Sequence, residues 1–295
     1  MSQKKLQVTF IIPTLNRHDD VKRLASSFQK LIKHNHIDCK LIIIDNSKDA
    51  NAKSLIESLD FNFPSTYIHE PQAGLSYARN AGINAITECD YVFTIDDDII
   101  VPAEYLELAY QAIQKKPEAA LLGARVELYN PEDLPVTIKT DTNYCSYTGG
   151  VPFGFIFGCA MVIKFSALKQ IGLFDVKLGA GTKNPGSEDS DFVYRLWKSK
   201  ANICYDPKMY VYHNHGRREN HYTIRLLKNY SLGQGGFLAK HLLTADLHSV
   251  KIFWWDLNRD LKDWIKRESN NTNYSISKKM KWLYRIKGLF LFLTH

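Results

Sequence analysis

Long hydrophobic runs are missing from this 295-residue chain. No stretch of about eighteen apolar residues occurs, which excludes a conventional transmembrane helix. The opening MSQKKLQVTFIIPT has lysines but no uninterrupted apolar segment before a small-residue cleavage site, so no signal peptide is expected. Cysteine is sparse. Cys39, Cys89, Cys145, Cys159 and Cys204 form no C-x-x-C pair, which argues against a zinc ribbon or a disulfide-stapled secreted domain. A reducing cytosol fits that pattern. No G-x-G-x-x-G follows the first apolar run, where the turn reads Pro13-Thr14-Leu15-Asn16-Arg17. Gly181 to Gly186 has the spacing of a phosphate-binding loop, but Ser187-Glu188 follows in place of Lys-Ser/Thr.

What is present suits a sizeable core. Apolar residues make up 45% of the chain, enough for one large α/β domain with or without an appendage. The net charge of +7 is unevenly spread. Residues 217–295 hold 15 Lys/Arg against 6 Asp/Glu, whereas residues 1–216 hold 23 against 25. The basic excess is therefore a property of the C-terminal quarter and suggests an anionic surface, membrane or nucleic acid. The rest has no charge bias towards nucleic acid.

Strand-like and helix-like segments alternate through the first half. Val8–Ile12 reads as a buried strand and Leu41–Ile44, Thr66–His69 and Tyr91–Ile95 as further strands, with helices between them and a further helix opened by Pro102. That order predicts a mostly parallel sheet covered on both faces. Ligands of such sheets bind beyond the carboxyl ends of the strands. Three polar signals fall there: Thr14-Leu15-Asn16-Arg17, Asp45-Asn46-Ser47 and Asp96-Asp97-Asp98. Residues 129–157 read as an irregular excursion, Gly158–Lys164 as another strand, and 178–187 as a flexible loop before a helix over Glu188–Lys200. Asn202–Asp206 and Met209–Tyr212 read as short strands. The remainder is helical, with a break at Gly233-Gln234-Gly235-Gly236 and a polar connection over Ser269–Ser277.

Three clusters could carry chemistry. Adjacent carboxylates at Asp96-Asp97-Asp98 repel one another, and a divalent cation with oxygen ligands relieves that cost. A solvated acidic turn is the bland alternative. In Ser187-Glu188-Asp189-Ser190-Asp191, a capping Ser187, acidic first-turn residues and an Asp191–Arg195 pair explain the composition structurally. The functional alternative is a carboxylate acting as general base. His213, after a strand, is a core residue, a metal ligand or a proton shuttle. Asp45 could cap the next helix, and Arg79 could be solvated or neutralise a diphosphate.

Taken together, FIIPTLNR, LIIIDNSKD, QAGLSYARNAGI, YVFTIDDDIIVP, GCAMVIKFSALKQIGLFD and SEDSDFVYRLWKSKANICYDPKMYVYHNH resemble the family 2 inverting glycosyltransferases of the GT-A fold. The resemblance covers about residues 8–216. It implies a catalytic domain over 1–216, with a nucleotide-binding half at 1–118 and an acceptor-side half at 119–216. Thr14, Asn16, Asp45 and Asn46 would line base and ribose, with Pro13 and Arg17 in the same loop. Arg79 would approach the diphosphate. Asp98 and Asp96, with His213, match the metal ligands, and Asp96 or Asp97 would reach the ribose. Asp189, beside Glu188, matches the catalytic base. The implied cofactor is Mn²⁺ or Mg²⁺, the donor a UDP-sugar, and the acceptor a glycan or lipid-linked glycan of a surface polysaccharide.

Residues 217–295 form a basic, aromatic-rich helical region. Trp254, Leu257, Leu261, Trp264 and Ile265 keep helical spacing, with Lys262, Lys266 and Arg267 nearby. Lys278, Lys279, Lys281, Arg285 and Lys287 accompany Trp282, Leu289, Phe290 and Phe292. Two expectations follow: a packed appendage, or an interfacial anchor over 251–295 on the cytoplasmic face of an anionic membrane. A nucleotidyltransferase and an inactive carbohydrate- or lipid-binding module are the competing functions. The first lacks its Gly-rich basic loop, and the second conflicts with the joint presence of Asp96, Asp98, Asp189 and Arg79.

Overall fold

β1 (Leu6–Thr14) sends Val8, Phe10 and Ile12 into one apolar layer and Ile11 into another. β2 (Ile37–Asp45) does the same with Leu41 and Ile43 against Ile42 and Ile44. Strands apolar on both faces must be covered on both, which is why these runs do not alternate with polar residues. The computed structural model describes residues 4–267 and 278–294. The expected connection Ser269–Ser277 lies outside the described residues. So do the side chains of Leu257, Leu261, Lys262, Trp264, Ile265, Lys266, Arg267 and Lys278.

One layer is closed by α1 (His18–Gln29), α2 (Lys53–Ser58) and α4 (Tyr105–Lys115). The other is closed by α3 (Leu75–Asn84), α5 (Phe165–Ile171) and α6 (Glu188–Lys198). Each large side chain removed from water contributes about 1.5–3 kcal/mol. The remaining strands are β3 (Ser65–His69), β4 (Tyr91–Ile95), β5 (Ile99–Ile100), β6 (Ala119–Leu128), β7 (Cys145–Ser146), β8 (Ala160–Lys164) and β9 (Asn202–His213). They form one sheet in the order β3-β2-β1-β4-β8-β6-β9-β5, with β7 also on β9.

The sheet is parallel from β3 to β4, as the alternation implies. Beyond β4 it is mixed rather than mostly parallel. β8 runs antiparallel to both β4 and β6, while β6 and β9 are parallel. The irregular excursion between β6 and β8 lets the chain return in the opposite direction without a crossover helix. The two short segments expected at 202–212 are one strand, β9. Its pairing with β6 jumps from Asp206 to Tyr210, and this bulge absorbs Pro207, which has no amide proton to give the ladder.

Three further helices follow: α7 (Asn220–Leu243), α8 (His248–Arg267) and α9 (Lys278–Leu293). The expected break at Gly233–Gly236 is instead inside α7. These glycines are contact surface. A Cβ on Gly235 would overlap the Arg285 carbonyl, and one on Gly288 would overlap the Leu232 carbonyl. The two helix backbones meet at a distance only glycine permits. Arg285 of α9 adds a buried ion pair with Asp256 of α8 and a 2.7 Å bond to Gln234 Oε1. Among the described residues no helix is long and apolar enough to cross a membrane.

Candidate active site

The register of β1, β2 and β4 brings their carboxyl ends to one edge. Thr14 pairs with Asp45, and Ile11 with Thr94, one residue before the end of β4. The aspartate triplet therefore emerges beside the Pro13–Arg17 turn. Thr14 Oγ1 donates to Asp97 at 2.7 Å. One Arg17 nitrogen lies 3.0 Å from Asp97 and 2.8 Å from Asp98. On the far side of Asp98, His213 Nε2 stands 3.2 Å away, and His213 Nδ1 faces the Thr137 carbonyl at 3.0 Å.

These environments separate Asp97 from Asp98. Burial and the neighbouring Asp98 raise Asp97 to about 7 against the pull of Arg17. Asp98 is also buried, but His213 and Arg17 outweigh that cost and hold it well below the usual range. Burial disfavours charge on His213, yet the Asp98 carboxylate more than compensates and its pKa is raised.

Arg79 of α3 joins this edge to α6. Its guanidinium is buried, donates to Asp96 at 2.9 Å and to Glu188 at 3.0 Å, and lies 5.5 Å from the Phe174 ring centre. Gly158 permits this path, because a Cβ there would meet Arg79 nitrogens at 2.8 Å and 2.9 Å. The same Gly158 donates its amide to Asp189 at 3.2 Å. Asp189 also accepts from the Ser190 amide at 2.6 Å. Burial raises the pKa of Glu188 and Asp189, and the charge of Asp189 lifts Glu188 further. Ser187 stands at the start of α6 as expected, but with φ 68° and no side-chain cap bond. The expected Asp191–Arg195 pair forms at 2.8 Å, and Lys240 and His241 of α7 bind the same buried carboxylate.

A cavity of about 630 Å³ collects these groups. Pro13, Thr14, Arg17, Asn46, Arg79, Asp96, Asp97, Asp98, Glu188, Asp189 and His213 all line it. Asn16 and Asp45 do not. Asn16 turns away to accept from Asn51 at 2.7 Å. Asp45 is fully buried, and the amides of Ser47 and Ala52 and the Tyr67 hydroxyl occupy its oxygens. Its carboxylate braces the turn that leads from β2 into α2, rather than capping that helix. Several lining residues escaped the sequence reading: Thr137, Phe157, Arg217, Tyr230 and Gln234. Tyr230 and Gln234 are one helical turn apart in α7, a signal hidden because Gln234 falls in the glycine-rich segment read as a break.

The loop 178–187 is not free. Asn184 Nδ2 donates to the carbonyls of Leu232 in α7 and Gly288 in α9, at 3.0 Å and 2.7 Å. The Leu75 amide binds Ala180, and Ser76 Oγ binds Leu178.

Among the described residues no three His, Cys, Asp or Glu side chains form a ready metal cage. The donor set nevertheless suits a hard divalent cation, with carboxylates and one imidazole. The hydrogen bond at Nδ1 leaves His213 Nε2 turned towards Asp98, the orientation that metal-binding histidines adopt.

The profile of glycosyl transferase family 2 matches residues 9–172. The succinoglycan biosynthesis protein ExoM of Rhizobium meliloti is 26% identical over 188 residues, covering 59% of this chain and 56% of ExoM. The chain spans about half the length of the curated relatives it matches. Two solved structures share the fold at 15% identity. S. aureus TarS in complex with UDP-GlcNAc has a TM-score of 0.55, covering 80% of this chain and 72% of that one. The mannosyltransferase PcManGT from Pyrobaculum calidifontis, with GDP-Man and Mn²⁺, has a TM-score of 0.63, covering 99% and 88%.

Proposed function

The chain belongs to glycosyl transferase family 2, and from that premise we propose that it is a glycosyltransferase that moves a sugar from a UDP-sugar to a glycan hydroxyl with inversion at the anomeric carbon. One observation carries the reading. Buried Arg79 ties the aspartate triplet to the Glu188-Asp189 pair in a single cavity. The donor nucleotide would lie against Pro13, Thr14, Arg17 and Asn46. Asp97 or Asp96 would reach its ribose. Asn16 and Asp45 would support that wall from behind.

Asp189 is the proposed base. The Gly158 and Ser190 amides fix its two oxygens, and its raised proton affinity suits removal of a proton from an alcohol. Glu188 is the proposed positioning partner, holding Arg79 at 3.0 Å. Asp98, Asp96 and His213 would hold Mn²⁺ or Mg²⁺, which when bound supplies Lewis-acid stabilisation of the leaving diphosphate. Arg17 adds a fixed positive charge at the same edge. A nucleoside diphosphate in TarS and PcManGT complexes supports the donor class.

The acceptor belongs to the same proposal, as a glycan of a surface polysaccharide, linked to lipid. α9 turns Met280, Leu283, Ile286, Phe290 and Leu293 outward at helical spacing, with Lys279 and Lys287 beside them. Leu283 is 57% exposed and Phe290 60% exposed. Apolar residues flanked by lysines suit the headgroup boundary of an anionic bilayer, here on its cytoplasmic side.

The test is donor turnover. UDP- and GDP-sugars are incubated with the protein, with and without Mn²⁺, and nucleoside diphosphate release is measured. Metal-dependent release from a UDP-sugar is expected. Asp189→Asn should cut turnover about 10²–10⁴-fold while UDP still raises the melting temperature. Undiminished turnover by that variant ends the base assignment. No release from any nucleotide sugar ends the reading.

A further inference from the structure

The cavity that holds the aspartate triplet and the Glu188-Asp189 pair adjoins a second one of about 490 Å³, lined by none of those carboxylates. Tyr230 and Gln234 line both, one helical turn apart on α7. Phe153, Gly154 and Phe157 share that border but bring no polar side-chain atom to it. Gln234 Oε1 accepts from Arg285 Nε at 2.7 Å, and Arg285 is itself paired with Asp256. That bond settles which end of the amide is oxygen, so the two N–H donors of Gln234 Nε2 form the other end. Among the described residues neither Gln234 Nε2 nor the Tyr230 hydroxyl has a hydrogen-bond partner. Polar groups so placed on a cavity wall are satisfied by water or by a ligand.

Their place relative to Asp189 identifies the ligand. α7 rests on the loop that leads into α6. A Cβ on Gly186 would meet Tyr230 Cδ1 at 3.3 Å, and one on Gly233 would meet the Gly186 carbonyl oxygen at 2.6 Å. Gly186 lies three residues before Asp189. Burial raises the pKa of Tyr230 against the pull of Arg217, and the charges of Asp189 and Glu188 raise it further. Tyr230 therefore stays a neutral phenol, able to donate or accept. The wall proposed for the nucleotide lies elsewhere, at the ends of β1 and β2, with Pro13, Thr14 and Asn46.

We infer that Tyr230 and Gln234 select the acceptor, binding oxygens of a hexose ring beside the hydroxyl that Asp189 deprotonates. An uncharged amide donor and a phenol match ring hydroxyls. Held at two points, the ring keeps the rotation that presents one hydroxyl to the base. The inference deepens the glycosyltransferase reading with Asp189 as base and rests on it. Glycoside binding and donor binding are separate measurements, so either can fail alone.

Titration calorimetry on the full chain saturated with UDP tests it. The probes are methyl α- and β-glycosides of glucose, galactose, mannose and N-acetylglucosamine, then the monodeoxy analogues of the one that binds tightest. At least one glycoside should bind, and loss of one of its hydroxyls should weaken it about tenfold. Tyr230→Phe removes only the hydroxyl, and Gln234→Glu keeps an oxygen for Arg285 while removing the N–H donors. Each should weaken the parent glycoside about tenfold. In at least one of them the deoxy analogue should bind as well as its parent, a convergence that a merely structural role would not produce. A melting temperature still raised by UDP shows that each variant is folded. Monodeoxy analogues that all match their parent overturn the inference. So does a parent-to-analogue ratio unchanged in both variants, or a chain that binds UDP but none of the glycosides. Absence of UDP binding by the unsubstituted chain overturns the donor reading and this inference with it.

Discussion

Arg79 is the residue on which charge balance in the cleft turns. It is buried, and it serves two carboxylates far apart in the sequence, Asp96 after β4 and Glu188 at the start of α6. Removing one member of a buried pair leaves the other uncompensated, at a cost of about 3–5 kcal/mol. Arg79→Gln should therefore melt earlier and lose turnover. It should also shift the acid limb of the pH–rate profile to higher pH. The sign follows from the groups involved. Asp189 and Glu188 have folded pKa values raised above their ordinary ones, so their ionised forms already cost stability above those values. Without Arg79 that cost grows and the base protonates sooner on acidification. Asp191 behaves oppositely. Its pKa is lowered because His241, Arg195 and Lys240 outweigh its burial, so it stabilises the fold above the ordinary aspartate range and loses that contribution as pH falls through its folded value. An acid limb in Arg79→Gln identical to that of the unsubstituted chain would contradict the proposed base pair.

At the scale of elements, the strands and the first helices were readable because burial on both faces leaves unbroken apolar runs. Tyr91–Ile95 has the same bounds in sequence and structure. The glycines of α7 were misread because their purpose lies in segments they pack against, Gly235 on α9 and Gly233 and Gly236 on the loop before α6. Glycine weakens a helix locally, but Gly235 and Gly288 let α7 and α9 touch backbone to backbone. α9 thereby has two faces of opposite use. Arg285, Gly288 and Phe292 point inward, while Leu283, Ile286 and Phe290 stay exposed. Vesicle sedimentation separates the two uses. Leu283→Glu with Phe290→Glu should abolish binding to anionic vesicles without lowering the melting temperature, since neither side chain is buried. The unsubstituted chain should bind less as salt rises. Equal sedimentation of both proteins would refute the bilayer contact.

For the molecule as a whole, the carboxylates of the candidate site were legible because each follows an apolar strand or opens a helix, and their meeting required only the sheet. The rest of the cavity was not. Tyr230 and Gln234 reach it from α7, and Asn184 holds the loop before Asp189 through carbonyls of α7 and α9. No spacing in the sequence announces a bond between residues 104 positions apart. A fragment ending at residue 216 should accordingly lose UDP-dependent stabilisation and turnover, measured against the full chain. A fragment with full activity would show that the C-terminal helices are dispensable.

The bond from Asn184 to the Gly288 carbonyl has a bearing on how such a protein can be altered. Swapping the terminal segment for that of a relative, in the hope of redirecting the chain to a different surface, also exchanges the brace beneath its proposed base. Only a transplant that brings the matching loop along, or supplies an equivalent carbonyl at the same spot, leaves the chemistry as it was.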